Sequence, residues 1–188
     1  MFLPRFSIIT TIVVLAILPQ FRGDPEFELC HNKFEPSSSF SKALEFLQGQ
    51  IGYNFKSVGL LRRAMTHSSY SEENNRALSI FGAIIIETSV SLYYLKKDID
   101  ISPEELTTRI TDVSKVETSC AKDGTRLELH KVVRVSHKSR TNSSTPSVVC
   151  GAFRAIFGAI AIDAGNCDEA GKVFLVLHGG KAGEALAS

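Results

Sequence analysis

Three features are missing from this sequence of 188 residues, and each absence excludes a class of protein. No Cys-x-x-Cys pair occurs among the four cysteines, which argues against a structural zinc site or a dithiol redox centre. A basic excess is also missing, since 21 lysines and arginines face 20 acids, so the net charge of +1 gives no nucleic-acid footprint. The N-terminal apolar run, residues 8–18, is shorter than the about 20 residues that a membrane-spanning helix takes. With 44% hydrophobic residues, the sequence instead fits one ordinary domain that buries a core.

Residues 1–23 have the pattern of a secretory signal peptide. Arg5 precedes the apolar run, Pro19 ends it, and Gly23 supplies a small residue. We expect cleavage of this leader to deliver the chain to the ER lumen, the nuclear-envelope lumen or the cell exterior, with no membrane span left. An uncleaved anchor or an organellar transit peptide is the alternative, because Phe21 is not small.

The cysteines agree with export. All four, Cys30, Cys120, Cys150 and Cys167, follow the leader, and this even number permits two disulfides in an oxidising lumen. Cys150 and Cys167 flank a predicted helix whose ends would lie roughly 20 Å apart, which is beyond disulfide reach. We therefore expect Cys30 to pair with Cys120 or with one of the two flanking cysteines. Four buried free thiols are the alternative.

A glycosylation sequon, Asn142-Ser143-Ser144, lies in the polar segment 136–147, which its composition marks as a loop. Such triplets are frequent by chance. In a chain with a leader and paired cysteines, however, Asn142 becomes a candidate for N-linked glycosylation.

Apolar periodicity predicts an all-α domain over residues 40–179, after an extended arm (24–39) and before a loose tail (180–188). Helix starts are predicted at Ser102-Pro103 and after Asn166, each with a glutamate three residues after the cap, and Ser114-x-x-Glu117 predicts a bend or a second helix. Residues 127–135 stay open between a strand, which their β-branched content favours, and a helix or turn.

The central helix is predicted over residues 73–95 and is apolar nearly all round between 78 and 86, which indicates burial on more than one side. Gly82 inside it costs about 1 kcal/mol relative to alanine. We therefore expect another backbone to approach closely at Gly82.

Two blocks of this sequence resemble the ribonuclease III domain. The first runs from Ile51-Gly52-Tyr53-Asn54-Phe55 through Ala64-Met65-Thr66-His67-Ser68-Ser69-Tyr70 into residues 75–86, and the second is residues 151–165, Gly-Ala-Phe-Arg-Ala-Ile-Phe-Gly-Ala-Ile-Ala-Ile-Asp-Ala-Gly. The resemblance covers residues 44–179 and leaves no room for a double-stranded-RNA-binding domain. It implies the all-α ribonuclease III endonuclease fold, a homodimer packed about the central helix, and magnesium-dependent cleavage of double-stranded RNA.

The four metal-binding acids of that family are missing here. Their positions carry Ser79, Ala83, Gly151 and Arg154, and a further family glutamate falls on Arg76. Because Mg²⁺ takes carboxylate oxygens and arginine brings a permanent cation, we expect neither bound magnesium nor catalysis.

Two acids near the family positions, Glu87 and Asp163, could in principle replace the missing metal ligands. We interpret Glu87 as an ion-pair partner and Asp163 as a helix-terminus group. No histidine offers a nucleophilic or metal-binding alternative: His67 reads as a structural hydrogen-bonding residue of its turn, and the other histidines lack metal-ligand spacing.

The resulting hypothesis is a catalytically inactive ribonuclease-III-like domain of the secretory pathway, acting as a structural or protein-interaction module with an unidentified protein partner. The alternative is a double-stranded-RNA endonuclease or RNA-binding protein, for which scattered basic residues would contact phosphates. Those residues are Arg62, Arg63, Lys131, Arg134, Lys138 and Arg140.

Overall fold

The computed structural model describes residues 39–179, which are almost entirely helical and contain no strand. The helices are α1 (Ser39–Ile51), α2 (Val58–Ala64), α3 (Arg76–Lys97), α4 (Pro103–Ser114), α5 (Ala121–Arg126), α6 (Leu129–Val132), α7 (Pro146–Ala164) and α8 (Cys167–Gly179), with a π-helical turn (Val116–Cys120) between α4 and α5. The predicted all-α class is therefore confirmed. The predicted leader, the arm with Cys30, and the tail from residue 180 lie outside the described residues.

α7 forms the centre of the domain because it is apolar on almost every side. Most of its residues from Val148 to Ala161 are buried, and it packs against α2, α3, α5 and α8. Phe153 and Phe157 meet Phe174 of α8 in edge-to-face contacts, with ring centroids 5.4–6.4 Å apart. The second sequence block thus supplies the core.

α3 crosses α7 at a contact between backbones. A Cβ atom added at Gly82 would lie 1.8 Å from the carbonyl oxygen of Arg154, and one added at Gly158 would lie 2.3 Å from the carbonyl oxygen of Leu78. Only glycine fits at such distances. The close approach predicted at Gly82 is confirmed, and Gly158 of α7 makes the corresponding close contact with the backbone of α3.

α4 begins as its capping residues predict. The Ser102 hydroxyl accepts a hydrogen bond from the Glu105 amide at 3.1 Å, and Pro103 occupies the first helical position. α4 ends at Ser114, where the chain enters the π-helical turn and then α5. This break is the bend that the second capping sequence, Ser114-x-x-Glu117, predicts.

The disulfide within the described residues joins Cys120, at the end of the π-helical turn, to Cys150 in the first half of α7, with Cα atoms 5.1 Å apart. The prediction that Cys30 pairs with Cys120 or with Cys150 is therefore wrong, as is the alternative of four free thiols. The reason is tertiary: the turn packs across α7, a contact for which the sequence has no local signal. Because Cys150 is bonded to Cys120, the predicted absence of a Cys150–Cys167 bond is confirmed. Cys167 is exposed and forms no disulfide within residues 39–179, and its pairing with Cys30 stays a prediction.

Residues 127–135 contain the short helix α6 and no strand. After α6, the chain extends for a few residues, and Arg134 makes an isolated bridge with Thr66. The Arg134 amide donates to Met65, and the His67 amide donates to Arg134. The valine-rich segment 132–135 therefore forms one isolated bridge and no strand.

By length and composition alone, α3 and α7 could each cross a membrane. The core helix of a soluble protein passes the same test, and in α7 67% of the most apolar window is buried inside the domain. In α3 the share is 28%. α3 therefore has an apolar surface that residues 39–179 leave uncovered.

Candidate functional site

The crossing of α3 and α7 brings the four positions of the missing acids together. A Cβ atom added at Gly151 would lie 3.9 Å from the Ser79 Oγ. Ala83 follows Gly82, whose Cα faces the backbone of Arg154. All four positions are half-buried. The two helices therefore bring the four family positions near one another, but none of these positions carries a carboxylate.

Arg154 turns away from an ion-binding role and contacts the neighbouring helix. Its Nη2 donates to the backbone carbonyl of Ser114 at 2.6 Å. Ser114 is the last residue of α4, where the carbonyls lack helical partners and the helix dipole favours a cation. Arg154 therefore acts as a C-terminal cap supplied from another helix.

The side chain of Ser114 extends this network to α3. Its Oγ donates to the Glu87 Oε1 at 2.9 Å. Within residues 39–179 the partner found for the Glu87 carboxylate is this hydroxyl, where we predicted a cation, so the ion-pair interpretation is wrong. Glu87, Ser114 and Arg154 link α3, α4 and α7 through hydrogen bonds.

These residues do not fit a magnesium ion. Hard divalent cations take several carboxylate or carbonyl oxygens, whereas the four positions offer a hydroxyl, a methyl group, a hydrogen atom and a guanidinium. In the described part of the chain, no group of three or more histidine, cysteine, aspartate or glutamate side chains converges on a place for a metal. The donor set and the charge at this crossing oppose the cation.

Asp163 serves the start of α2. Its carboxylate accepts hydrogen bonds from the amides of Lys56 and Ser57, both at 2.8 Å, and from the Tyr53 hydroxyl at 2.9 Å. Burial, together with the hydrogen bond to Asp163, raises the pKa of Tyr53 to about 12. Asp163 is the helix-terminus group that its position predicts, although the terminus it caps belongs to α2.

His67 lies in a hydrogen-bonded turn, as predicted. Its Nδ1 lies 3.0 Å from the Ser69 Oγ and accepts from the Ser69 amide at 3.1 Å. Burial lowers the pKa of His67, which favours the neutral ring that this acceptor role requires. The residue is structural.

The basic residues do not form one open strip. The Arg134 guanidinium lies between the rings of Phe40 and Tyr70, with centroids 4.3 and 4.7 Å away, and donates to the Thr66 Oγ1 at 2.6 Å. Burial lowers its pKa. Lys131 pairs with Glu128 and Arg63 donates to the Asn74 carbonyl, and both remain exposed, as do Lys138 and Arg140. Part of the positive charge is thus used inside the domain.

Sequence reasoning missed two features of the site region. Asp123 is buried and is held by His178 at 2.6 Å and Arg126 at 3.2 Å, which ties α8 to α5. The second feature is an apolar stripe on α3, here called the α3 stripe, formed by Ile80, Ile84 and Leu92, which are 67%, 56% and 48% exposed. Spacings of four and eight residues place the three on one helical face. Only the near-complete apolar character of α3 hinted at it.

Comparison with known proteins gives the class to which this fold and site belong. A family model described as ribonuclease-III-like matches residues 57–177, and the chain belongs to this family. Over 189 aligned residues it is 52% identical to Protein NUCLEAR FUSION DEFECTIVE 2 of Arabidopsis thaliana, an alignment that covers 97% of this chain and 96% of that protein. The resemblance stated from the sequence motifs is confirmed.

Bacterial ribonucleases are more distant relatives. The chain is 34% identical over 131 residues to Ribonuclease 3 of Clostridium acetobutylicum, which covers 66% of this chain but only 56% of that enzyme. The nuclease domain of Ribonuclease III from Campylobacter jejuni superposes with a TM-score of 0.66 at 28% identity, covering 71% of this chain and 94% of that domain. In that nuclease domain, the region involved in dimer formation shows structural flexibility.

Proposed function

We propose that this chain is a non-catalytic ribonuclease-III-like domain that works as a structural or protein-interaction module. The observation that carries the proposal is the replacement of all four family acids by Ser79, Ala83, Gly151 and Arg154. The bond from Arg154 to the Ser114 carbonyl supports it further, since the guanidinium fixes the fold where the family holds a metal. No carboxylate remains at these positions to activate water through magnesium.

The proposed location is the secretory pathway. A fully buried disulfide, with Cys120 and Cys150 at most 2% exposed, supports an oxidising compartment because such bonds are rare in the cytosol. The leader pattern of residues 1–23 points to the same compartment.

The proposed assembly is a homodimer formed through the α3 stripe. Three large apolar side chains on one helical face leave a surface that water solvates poorly. The dimer formation named for the Campylobacter nuclease domain supports a second copy of the chain as the occupant.

A link to nuclear fusion is the proposed biological setting. It comes from the name of the Arabidopsis relative, with which this chain shares 52% identity along almost its full length. A luminal protein–protein contact within the nuclear envelope would suit both the name and the proposed compartment.

Double-stranded-RNA cleavage or binding is the second candidate, favoured by family membership and by exposed Lys138 and Arg140. The test uses the chain produced through the secretory route, with its disulfide intact, and labelled double-stranded RNA in magnesium or manganese. We expect no cleavage and no salt-sensitive retention. Cleavage that a chelator abolishes would overturn the inactive-domain proposal, and retention that weakens steeply with salt would favour the RNA-binding candidate.

A further inference from the structure

We propose that Asn142 carries an N-linked glycan, and that this glycan covers the basic end of the loop between α6 and α7. The inference rests on the secretory location proposed above, because such glycans are added in the ER lumen. Asn142-Ser143-Ser144 is the only Asn-x-Ser/Thr sequon in the sequence. A glycan found on this chain at an asparagine must therefore be at this position.

The folded loop has room for the modification. Asn142 and Ser144 are exposed. The Asn142 Oδ1 accepts a hydrogen bond from the Ser144 amide at 2.9 Å, and the Asn142 carbonyl accepts from the Thr145 amide at 3.1 Å. Both bonds use oxygen atoms, so Nδ2, the atom that takes the glycan, lies outside them. The glycosylated side chain keeps this turn and extends into solvent.

The chemistry is a transfer with no change of oxidation state. A bond forms between Nδ2 and C1 of the first sugar of an oligosaccharide whose donor is a lipid-linked diphosphate. The bond from that C1 to the diphosphate oxygen breaks, the lipid diphosphate leaves with the electron pair, and Nδ2 loses one proton. Ser144 supplies the hydroxyl that the sequon requires two residues after the asparagine.

The glycan would change what can approach this face. Lys138 and Arg140 are exposed and precede Asn142 by four and two residues in the same loop. A glycan is bulky and well hydrated, whereas phosphate contacts require basic side chains to approach the ligand closely. A glycan at Asn142 therefore shields Lys138 and Arg140 from any polyanion.

The experiment expresses the full chain with its own leader in a eukaryotic secretory cell line and compares its electrophoretic mobility before and after peptide N-glycosidase. We expect the wild type to shift by one glycan, Asn142→Gln and Ser144→Ala to run at the deglycosylated position, and Ser144→Thr to keep the shift. Conversion of Asn142 to aspartate by the glycosidase, read by peptide mass spectrometry, locates the site.

A reporter variant separates failure of the site from failure of export. Asp168→Thr in an Asn142→Gln background creates a sequon at Asn166, and both positions are exposed at the start of α8. An unshifted wild type beside a shifted reporter overturns the glycan at Asn142 and leaves the secretory location standing. If neither shifts, the chain does not reach the lumen, and both proposals are wrong.

Discussion

The Arg154 guanidinium reaches the carbonyl of Ser114 across 2.6 Å and joins the middle of α7 to the end of α4. α4 has no fully buried residue of its own, so this bond is among the few strong contacts that hold it. The residue at one of the four family acid positions thus has a structural use in this chain.

Replacement of Arg154 by alanine should loosen α4. A hydrogen bond to a charged group contributes about 1.5–3 kcal/mol, and for a chain of this size that corresponds to a fall in Tm of roughly 3–12 °C. Thermal unfolding measures the change, and limited proteolysis should cut first between α4 and α5. Arg140→Ala, at an exposed loop position, is the matched control and should leave Tm unchanged. Equal effects of the two would contradict the assigned role.

Restoration of the acids should restore metal binding. In Ser79→Glu/Ala83→Asp/Gly151→Asp/Arg154→Glu, four carboxylates are placed at the crossing, where a Cβ atom added at Gly151 makes an ordinary van der Waals contact of 3.9 Å with the Ser79 Oγ. At a Mn²⁺ or Mg²⁺ concentration about 100 times Kd, stability should rise by about 2.7 kcal/mol. Calorimetry and thermal shift with each cation provide the measurement. The corresponding Gln/Asn/Asn/Gln variant and the wild type should not respond, and an equal response from the amide variant would argue against ligation by carboxylates.

Gly82→Ala should damage the α3–α7 crossing. The added methyl group would meet the Arg154 carbonyl at 1.8 Å, so the helices must separate, with a loss of at least about 3 kcal/mol, the upper end of typical overpacking costs. Gly49→Ala is the control, because Gly49 is an exposed residue of α1 and an added Cβ atom would have nothing within 4 Å. This substitution should stabilise by about 0.5–1 kcal/mol. Chemical denaturation gives both values. A neutral Gly82→Ala would mean that the crossing is looser than described.

Alkaline unfolding should depend on Tyr53. Its pKa is raised to about 12 by burial and by the hydrogen bond to Asp163, while in the unfolded chain tyrosine titrates near 10. The raised pKa means that the folded state holds the proton more tightly, so its stabilising contribution is complete below pH 10 and is lost as the pH rises through 12. The phenolate absorbance should show one of the four tyrosines ionising late. Tyr53→Phe should remove that late step, and its persistence would assign it to another tyrosine.

The α3 stripe should determine the oligomeric state. Ile80→Glu places a charge on a side chain that is 67% exposed in the single chain, so it should leave the fold intact and shift light-scattering mass from dimer to monomer. Ile99→Glu is the control, since Ile99 is even more exposed, at 76%, but lies beyond the end of α3. A wild type that is monomeric at micromolar concentration would remove the basis for this proposal.

Regular periodicity and capping chemistry allowed the helices to be predicted. The start of α4 followed from Ser102 and Pro103, and the burial of α7 followed from its unbroken apolar character. The contacts that define the candidate site were harder to predict. The acceptor of Arg154 is a backbone carbonyl 40 residues away, and a carbonyl has no residue-type signature. Likewise, the Cys120–Cys150 bond depends on how the π-helical turn packs across α7, so an even cysteine count could not reveal the pairing.

The two glycines at the crossing set the distance between α3 and α7 without help from the side chains at the four family acid positions. Gly82 and Gly158 fix the spacing of α3 and α7 through main-chain contact, which needs neither a cation nor any of the four lost side chains. Substitutions at Ser79, Ala83, Gly151 and Arg154 could therefore accumulate without the scaffold opening. The spacing of this helix pair is therefore set independently of the chemistry that the four side chains supply.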